Sequence, residues 1–454
     1  MAAPPVHGAA HRKSSSGDRP NRAGGNRPRL PLLPDDVIHH IFSFLPIKDA
    51  VRTSALSKRW RSTWTTTTNL VFDGFRLRFR DPLFLYFPYL VDSVLRQCTS
   101  PTDLRLRLSD GPWIEYKLPP FLYCSSWLVR LEVNWCRFWS NETIRWPCLK
   151  FLSIEDAALG EDMLGRIFRG SPVLESLKLR RCYRVRNIII DSTSVKDLVL
   201  IGSKKSHSYV DKIWAPHLLS LTLSGLWTWC THMFRLDDIS SLVEAKLAFS
   251  IRTSLFDDKR ERCDWLKELI EKLCGVPTIT IGVWCLKMEG VPSSLSKCQT
   301  LMLDTPISQW HLPGIAYMLR SSQCLERLVI HLTGIPRLEE ESKESCNEED
   351  FLCSWKGSFQ CLVTYLKQVE IIGFKANCLG SKHVLALIKF LLGDTLALEK
   401  MIIKADLRAR NGQKRLQAAV LSALLAVREK VLSYQRASKN AEVIFDYPFE
   451  LASF

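Results

Sequence analysis

A chain of 454 residues has room for two or three ordinary domains or one elongated array, and its 46% hydrophobic and 24% charged content suits a well-cored protein. Its formal charge of +15 does not by itself mean nucleic acid, since Met1–Arg29 alone sets six cations against Asp18 for a net +5. Rich in Pro, Gly and Ser, that stretch (1–29) reads as a disordered basic tail; a weak nuclear-import or anion-binding arm is the lesser reading. It has no apolar run of signal-peptide length, and the longest apolar stretch, Leu416–Val427, is broken by Gln417 and Ser422 and reads as a buried helix. Fifteen cysteines form no C-x-x-C pair, and several, including Cys285, Cys298 and Cys361, sit in apolar runs. That pattern argues against zinc and for reduced, buried thiols in a nuclear or cytoplasmic protein, with no cofactor expected. Cys230 with His232 is the nearest thing to a ligand pair and is read as an accident of an apolar face.

The first element in chain order is a cassette over residues 30–64. Ile38, Ile41, Phe42 and Leu45 recur at i, i+3, i+4 and i+7, the stripe of an amphipathic helix. Pro34 suits its first turn, Asp35 and Asp36 complement the positive end of its dipole, and Pro46 stops it. Asp49 to Ala55 predicts a second short helix, and Ser57 is placed to cap a third carrying Trp60 and Trp64. So small a bundle buries little by itself, so its surplus large apolar side chains point to a docking surface.

The order Leu33-Pro34-Asp35, Ile41, Phe42, Leu45-Pro46, Ala50-Val51, Leu56-Ser57-Lys58-Arg59-Trp60, Trp64 resembles the F-box. In plant proteins that motif often reads LPDDVI-x(4)-SFLP-x-KDAVRTS-x-LSKRWR. The resemblance implies the substrate-receptor subunit of an SCF-type (Skp–cullin–F-box) E3 ubiquitin ligase. The cassette would then bind the Skp-family adaptor, and through it the cullin–RING ligase, while the rest of the chain selects a protein substrate. The adaptor contacts expected are Pro34, Ile38, Ile41, Leu45, Pro46, Val51, Leu56, Trp60 and Trp64, with Trp60 the foremost anchor. Some of these must instead hold the cassette together, and their order along the chain does not separate the two sets.

Beyond the cassette a hexamer, apolar-x-x-apolar-x-apolar, recurs as PTDLRL, LVRLEV, LKFLSI, LESLKL, VKDLVL, LLSLTL, LVEAKL, VPTITI, CQTLML, LERLVI, LKQVEI and LEKMII. These twelve copies start between 101 and 398 at a mean spacing of 27 residues, inside the range of leucine-rich repeats. Alternate residues of a strand point the same way, so the fourth and sixth positions enter a core and the third and fifth face outward. Gly160–Gly170 and Asp264–Cys274 have helical spacing and are expected on the outer wall. Trp355, Cys361-Leu362, LKQVEIIGF (366–374), an apolar helix around Val384–Leu392, LEKMII (398–403) and SYQRASKNAEVIF (433–445) resemble the FBD domain. The resulting expectation is an α/β chain of irregular leucine-rich-repeat solenoid type. It places the F-box at 30–75, the repeats at 98–349 and an FBD-like region continuing the solenoid at 350–454, with an acidic solvated loop at Leu338–Asp350.

On the outward positions Arg130, Glu132, Phe151, Lys178, Glu244 and Lys246 are candidate target contacts, a mixed row that suits a protein better than a phosphate backbone. Trp127, Trp135, Trp139 and Trp146 are read chiefly as core. G-x-S-x-G, H-E-x-x-H and the phosphate loop are all missing, so no enzyme is expected. The competing reading is a ligase-independent leucine-rich-repeat scaffold or a nucleic-acid-associated binding protein.

Overall fold

The computed structural model describes residues 33–446, apart from residue 46 and the segments 74–81, 109–115, 139–141, 203–209, 228–233, 252–258, 288–293, 309–310, 334–358, 376–380 and 406–413. The basic tail, Pro46, Trp139, the Cys230 and His232 pair, the acidic stretch 338–350 and Trp355 lie outside the described residues.

Every one of the twelve hexamers becomes a strand that starts at its third residue. In chain order, with one further strand ahead of them and one after, these are β1 (Asn69–Asp73), β2 (Asp103–Arg107), β3 (Arg130–Asn134), β4 (Phe151–Glu155) and β5 (Ser176–Arg180). There follow β6 (Asp197–Gly202), β7 (Ser220–Trp227), β8 (Glu244–Ile251), β9 (Thr278–Gly282) and β10 (Thr300–Asp304). The last are β11 (Arg327–His331), β12 (Gln368–Phe374), β13 (Lys400–Ala405) and β14 (Glu442–Asp446). All fourteen pair in parallel, each with its neighbours in the chain, as a single sheet in strict sequence order.

Register follows from the apolar pattern, because a slip of one residue would turn each leucine out of the core. Leu131, Leu152, Leu177, Leu198, Leu221, Ala245, Ile279, Leu301, Leu328, Val369 and Met401 stand opposite one another in a buried row. A second feature locks the strand entrances. In ten of the twelve hexamers the carbonyl of the second residue accepts two N–H groups of the next repeat, as Lys150 does from Glu175 and Ser176 at 2.9 and 3.0 Å. Lys196, Gln299 and Glu326 repeat the arrangement.

Helices α1 (Asp35–Phe44) and α2 (Ile47–Thr53) open the described chain, and α3 (Pro82–Gln97) fills the gap before β2. Next come α4 (Glu161–Gly170) and α5 (Lys259–Lys272), where the outer-wall helices are expected, and α6 (Leu312–Ser321). Then α7 (Gln360–Thr364), α8 (Ser381–Asp394) and α9 (Lys414–Leu432) complete the set. Leu164, Ile167, Leu266, Ile270, Leu387 and Leu391 bury their apolar faces in the same cluster as the leucine row. Among the described residues the other sheet face carries no such cover, and its side chains are mostly half-buried. Trp146 is fully buried, donating its indole N–H to the Leu122 carbonyl at 2.6 Å and stacking on Tyr123, while Trp127 and Trp135 pack at the edge of the core. The Cys285 and Cys298 thiols are buried, which pushes them up to about 12 and keeps them protonated.

Two expectations change. Residues 69–73, placed in the cassette, are the first strand of the sheet, because Leu70 and Phe72 alternate inward with Val71 between them. The third helix of the cassette does not form: residues 54–56 and 63–66 are single 3₁₀ turns joined by hydrogen-bonded turns over 58–62. Its physical cause is the run Thr63, Thr65 and Thr66. Their hydroxyls bond back to the carbonyls of Arg59, Ser62 and Thr63 at 3.3, 2.7 and 2.8 Å, and β-branching disfavours a regular helix. Ser57 caps only one turn, accepting the Arg59 N–H at 3.3 Å.

Candidate docking surfaces

Three stripes run along α1, each at spacings of three and four residues. Ile38, Phe42 and Leu45 face inward; Ile38 is 1% exposed and Phe42 meets the Trp60 ring edge-on at 5.9 Å. Asp36, His39, His40 and Ser43 form a polar stripe. Val37, Ile41 and Phe44 form an apolar ridge that no described residue covers, with Phe44 74% exposed. Val51 of α2 and Leu56, also 74% exposed, add to the uncovered apolar area of the cassette. The helices cannot hide these side chains, because Ile38, Phe42, Ile47, Ala50 and Trp64 already fill the small interior.

This separates eight of the nine residues expected at the adaptor, Pro46 lying outside the described residues. Ile38 and Trp64 lie inside, Leu45 and Trp60 are half-buried against the core, and Pro34, Ile41, Val51 and Leu56 face solvent. Val37 and Phe44 were missed, although their i, i+4, i+7 spacing with Ile41 was there to be read. Overlap with the inward stripe hid it. Arg59 ties the irregular third segment to α1, its Nε and Nη2 both reaching Asp35 Oδ1 at 2.9 and 2.5 Å. The cassette is joined to the sheet by backbone bonds from Thr99 N to Thr65 O and from Asp103 N to Thr68 O, 3.0 and 2.9 Å.

The uncovered sheet face is the second surface. Arg130, Glu132 and Phe151 stand together there and are already engaged. Arg130 lies over the Phe151 ring at 4.2 Å and within 3.8 Å of Asp103 and 3.7 Å of Glu132, and Arg105 and Arg107 join the same network. Lys178 is half-buried between Ser153 and Val199, while Glu244 is exposed beside Ser220 and Thr278. Lys246 reaches over β9 to Asp304 at 2.9 Å, and Asp304 also meets His331 Nδ1 at 3.0 Å. That crossing is open because Gly282, opposite Asp304, has no side chain; a Cβ there would sit 2.9 Å from the Ala248 Cα. Further along, the buried Glu370 carboxylate binds Arg327 at 2.9 Å and Lys404 at 2.7 Å. Burial raises its pKa, but the hydrogen bonds and charges of Lys404 and Arg327 outweigh that and hold it below its ordinary value. Arg327 and Glu370 occupy the third and fifth positions of later hexamers, so continuing the outward count past Lys246 finds them.

At the strand exits Trp135, Asp156 and Arg181 adopt positive φ (54°, 52° and 53°), a strained conformation for residues with a Cβ. Each is held by donating its N–H to the following strand, to Glu155 O, Arg180 O and Ile201 O at 3.0, 2.9 and 2.7 Å. The Arg181 guanidinium also binds Asp156 Oδ1 at 2.7 Å.

Comparison with known proteins covers both the cassette and the strand repeats. Residues 30–71 match the F-box domain model, and residues 92–239 match a model described as "FBD-associated F-box protein At5g56370, LRR repeats". The Arabidopsis thaliana "Putative F-box/LRR-repeat protein At3g18150" is 27% identical over 82% of this chain and 85% of its own length. "F-box/LRR-repeat protein At5g02910" from the same plant is 29% identical over 82% and 87% of the two chains. The chain is also similar to "Putative F-box protein At1g49610", 30% identical over 66% of this chain and 83% of that one.

Proposed function

This chain belongs to the plant F-box/leucine-rich-repeat family, and from that premise we propose that it is the substrate receptor of an SCF-type ubiquitin ligase. The observation that carries the reading is the uncovered ridge of Val37, Ile41 and Phe44, together with the exposed Val51 and Leu56 of the same cassette. Apolar side chains that a small cassette leaves in water are covered by a partner groove, here that of a Skp-family adaptor. Pro34, Ile41, Val51 and Leu56 touch the adaptor, as do Val37 and Phe44. Ile38 and Trp64 support the ridge from inside, while Leu45 and Trp60 set its base. The parallel strands form a leucine-rich-repeat solenoid that ends in the FBD-like region, and its uncovered face is the target surface. On that face Lys178 and Glu244 contact the target directly. Arg130, Glu132, Phe151 and Lys246 shape the surface through their own ion pairs. In this role the chain makes and breaks no covalent bonds; ubiquitin transfer falls to other subunits.

Co-purification tests it. The full chain is expected to retain a Skp adaptor, and the Val37→Ser, Ile41→Ala, Phe44→Ala variant to lose it while keeping the parent circular dichroism. Undiminished retention by the variant would dispose of the proposal. For the target, proteins enriched by the intact chain only under proteasome inhibition are the expected cargo.

A further inference from the structure

Alongside the ridge on α1 lies a cleft of about 310 Å³, at the lower end of the size of small-ligand sites. It is lined by the polar stripe of the helix, Asp36, His39, His40 and Ser43, by Phe42, and by the threonine run, Thr63 and Thr66 to Thr68. Their hydroxyl protons are largely spoken for. Ser43 Oγ donates to the His40 carbonyl at 2.6 Å, Thr63 Oγ1 to the Arg59 carbonyl at 3.3 Å and Thr66 Oγ1 to the Thr63 carbonyl at 2.8 Å. What these groups can still offer is lone pairs, so they act as acceptors. Thr67 Oγ1 is buried and has no hydrogen-bond partner among the described residues. Asp36 is the one carboxylate among the lining residues, which include no lysine or arginine. An acceptor-rich cleft that carries a carboxylate and no lysine or arginine disfavours phosphate and suits a cation that donates several hydrogen bonds.

We propose that the cleft holds one arginine or lysine side chain of the protein docked on the neighbouring ridge. The claim rests on the docking reading for the source of the cation and on the cleft alone for its chemistry. A partner gripping two faces of α1 gains orientation from such a contact, since a ridge of apolar side chains fixes no rotation by itself.

Two measurements on the full chain separate these parts. In the first, the His39 and His40 ring-proton resonances are followed by NMR while arginine amide is added to the protein alone. A saturable shift is expected, about fivefold weaker in Asp36→Asn and in Thr66→Val, and absent with inorganic phosphate. No saturable shift, or an equal response to phosphate, overturns the proposal. In the second, the adaptor's affinity is measured across salt concentrations. Asp36→Asn is expected to bind about fivefold more weakly, with a shallower salt dependence, because one ion pair is gone. Unchanged affinity and slope assign the cation to some other source and overturn the proposal. If the intact chain binds no adaptor, the docking reading fails, while the arginine amide titration still decides whether the cleft takes a cation.

Discussion

Replacing both Phe44 and Leu56 by alanine should separate binding from folding. Each side chain is 74% exposed, so the folded cassette loses little, and stability should stay within about 0.5 kcal/mol of the parent. Against a partner, full burial of such a side chain is worth roughly 1.5–3 kcal/mol, and about three-quarters of that remains to be gained here, some 1–2 kcal/mol each. The pair therefore costs about 2–4 kcal/mol of binding, which raises Kd for the adaptor by roughly 30- to 1,000-fold. Ile38→Ala is the opposite control: at 1% exposure it should lower stability by about 2–5 kcal/mol through a cavity and weaken binding only by loosening the cassette. Calorimetric titration with purified adaptor and urea unfolding of each variant measure the two quantities. A double variant that binds within threefold of the parent (an arbitrary margin well inside the range set by buried apolar area), or unfolds as early as Ile38→Ala, would refute this division of the helix into ridge and core.

Other consequences follow from the sheet. Because Glu370 titrates below its ordinary range when folded, its contribution is present above the unfolded pKa and is lost as pH falls through the folded one; acid unfolding of Glu370→Gln should be less pH-dependent than the parent's. Gly225 has φ +83° and lies so close to Gly202 that a Cβ would fall 2.3 Å from its carbonyl oxygen, so Gly225→Ala should unfold at clearly lower urea, by at least about 1–2 kcal/mol. Trp146→Phe leaves the Leu122 carbonyl without its donor in the core and should cost about 1–3 kcal/mol; a change under 0.5 kcal/mol would mean the 2.6 Å bond contributes nothing net. Asp304→Asn should free the Lys246 ammonium, seen as faster reaction of that amine with acetylating reagent, with little change in stability because the pair is partly solvated.

Periodic features could be read without coordinates. The hexamer states which residues enter the core, so all twelve strands, their shared register and the apolar partition of Leu131, Leu152 and Leu177 were legible, as were the helices at 161–170 and 381–394. Local chemistry decides such features, because alternation along a strand leaves one buried solution. The F-box order was likewise explicit in residues 30–64.

Tertiary contact decided the rest. Ile41 and Phe42 are adjacent and equally apolar, yet Phe42 is interior because Trp60 closes over it, while Ile41 stays 37% exposed among the described residues. No single-chain pattern distinguishes them, since a residue's exposure is set by what the distant chain brings to it. The third helix failed because threonine hydroxyls compete for carbonyls, a balance that spacing does not weigh. On the uncovered sheet face, the order of residues says which side chains emerge there. Which of them remain available, and which are spent on ion pairs such as Arg327–Glu370–Lys404, depends on distances between strands whose paired residues lie 41 and 32 residues apart in the chain.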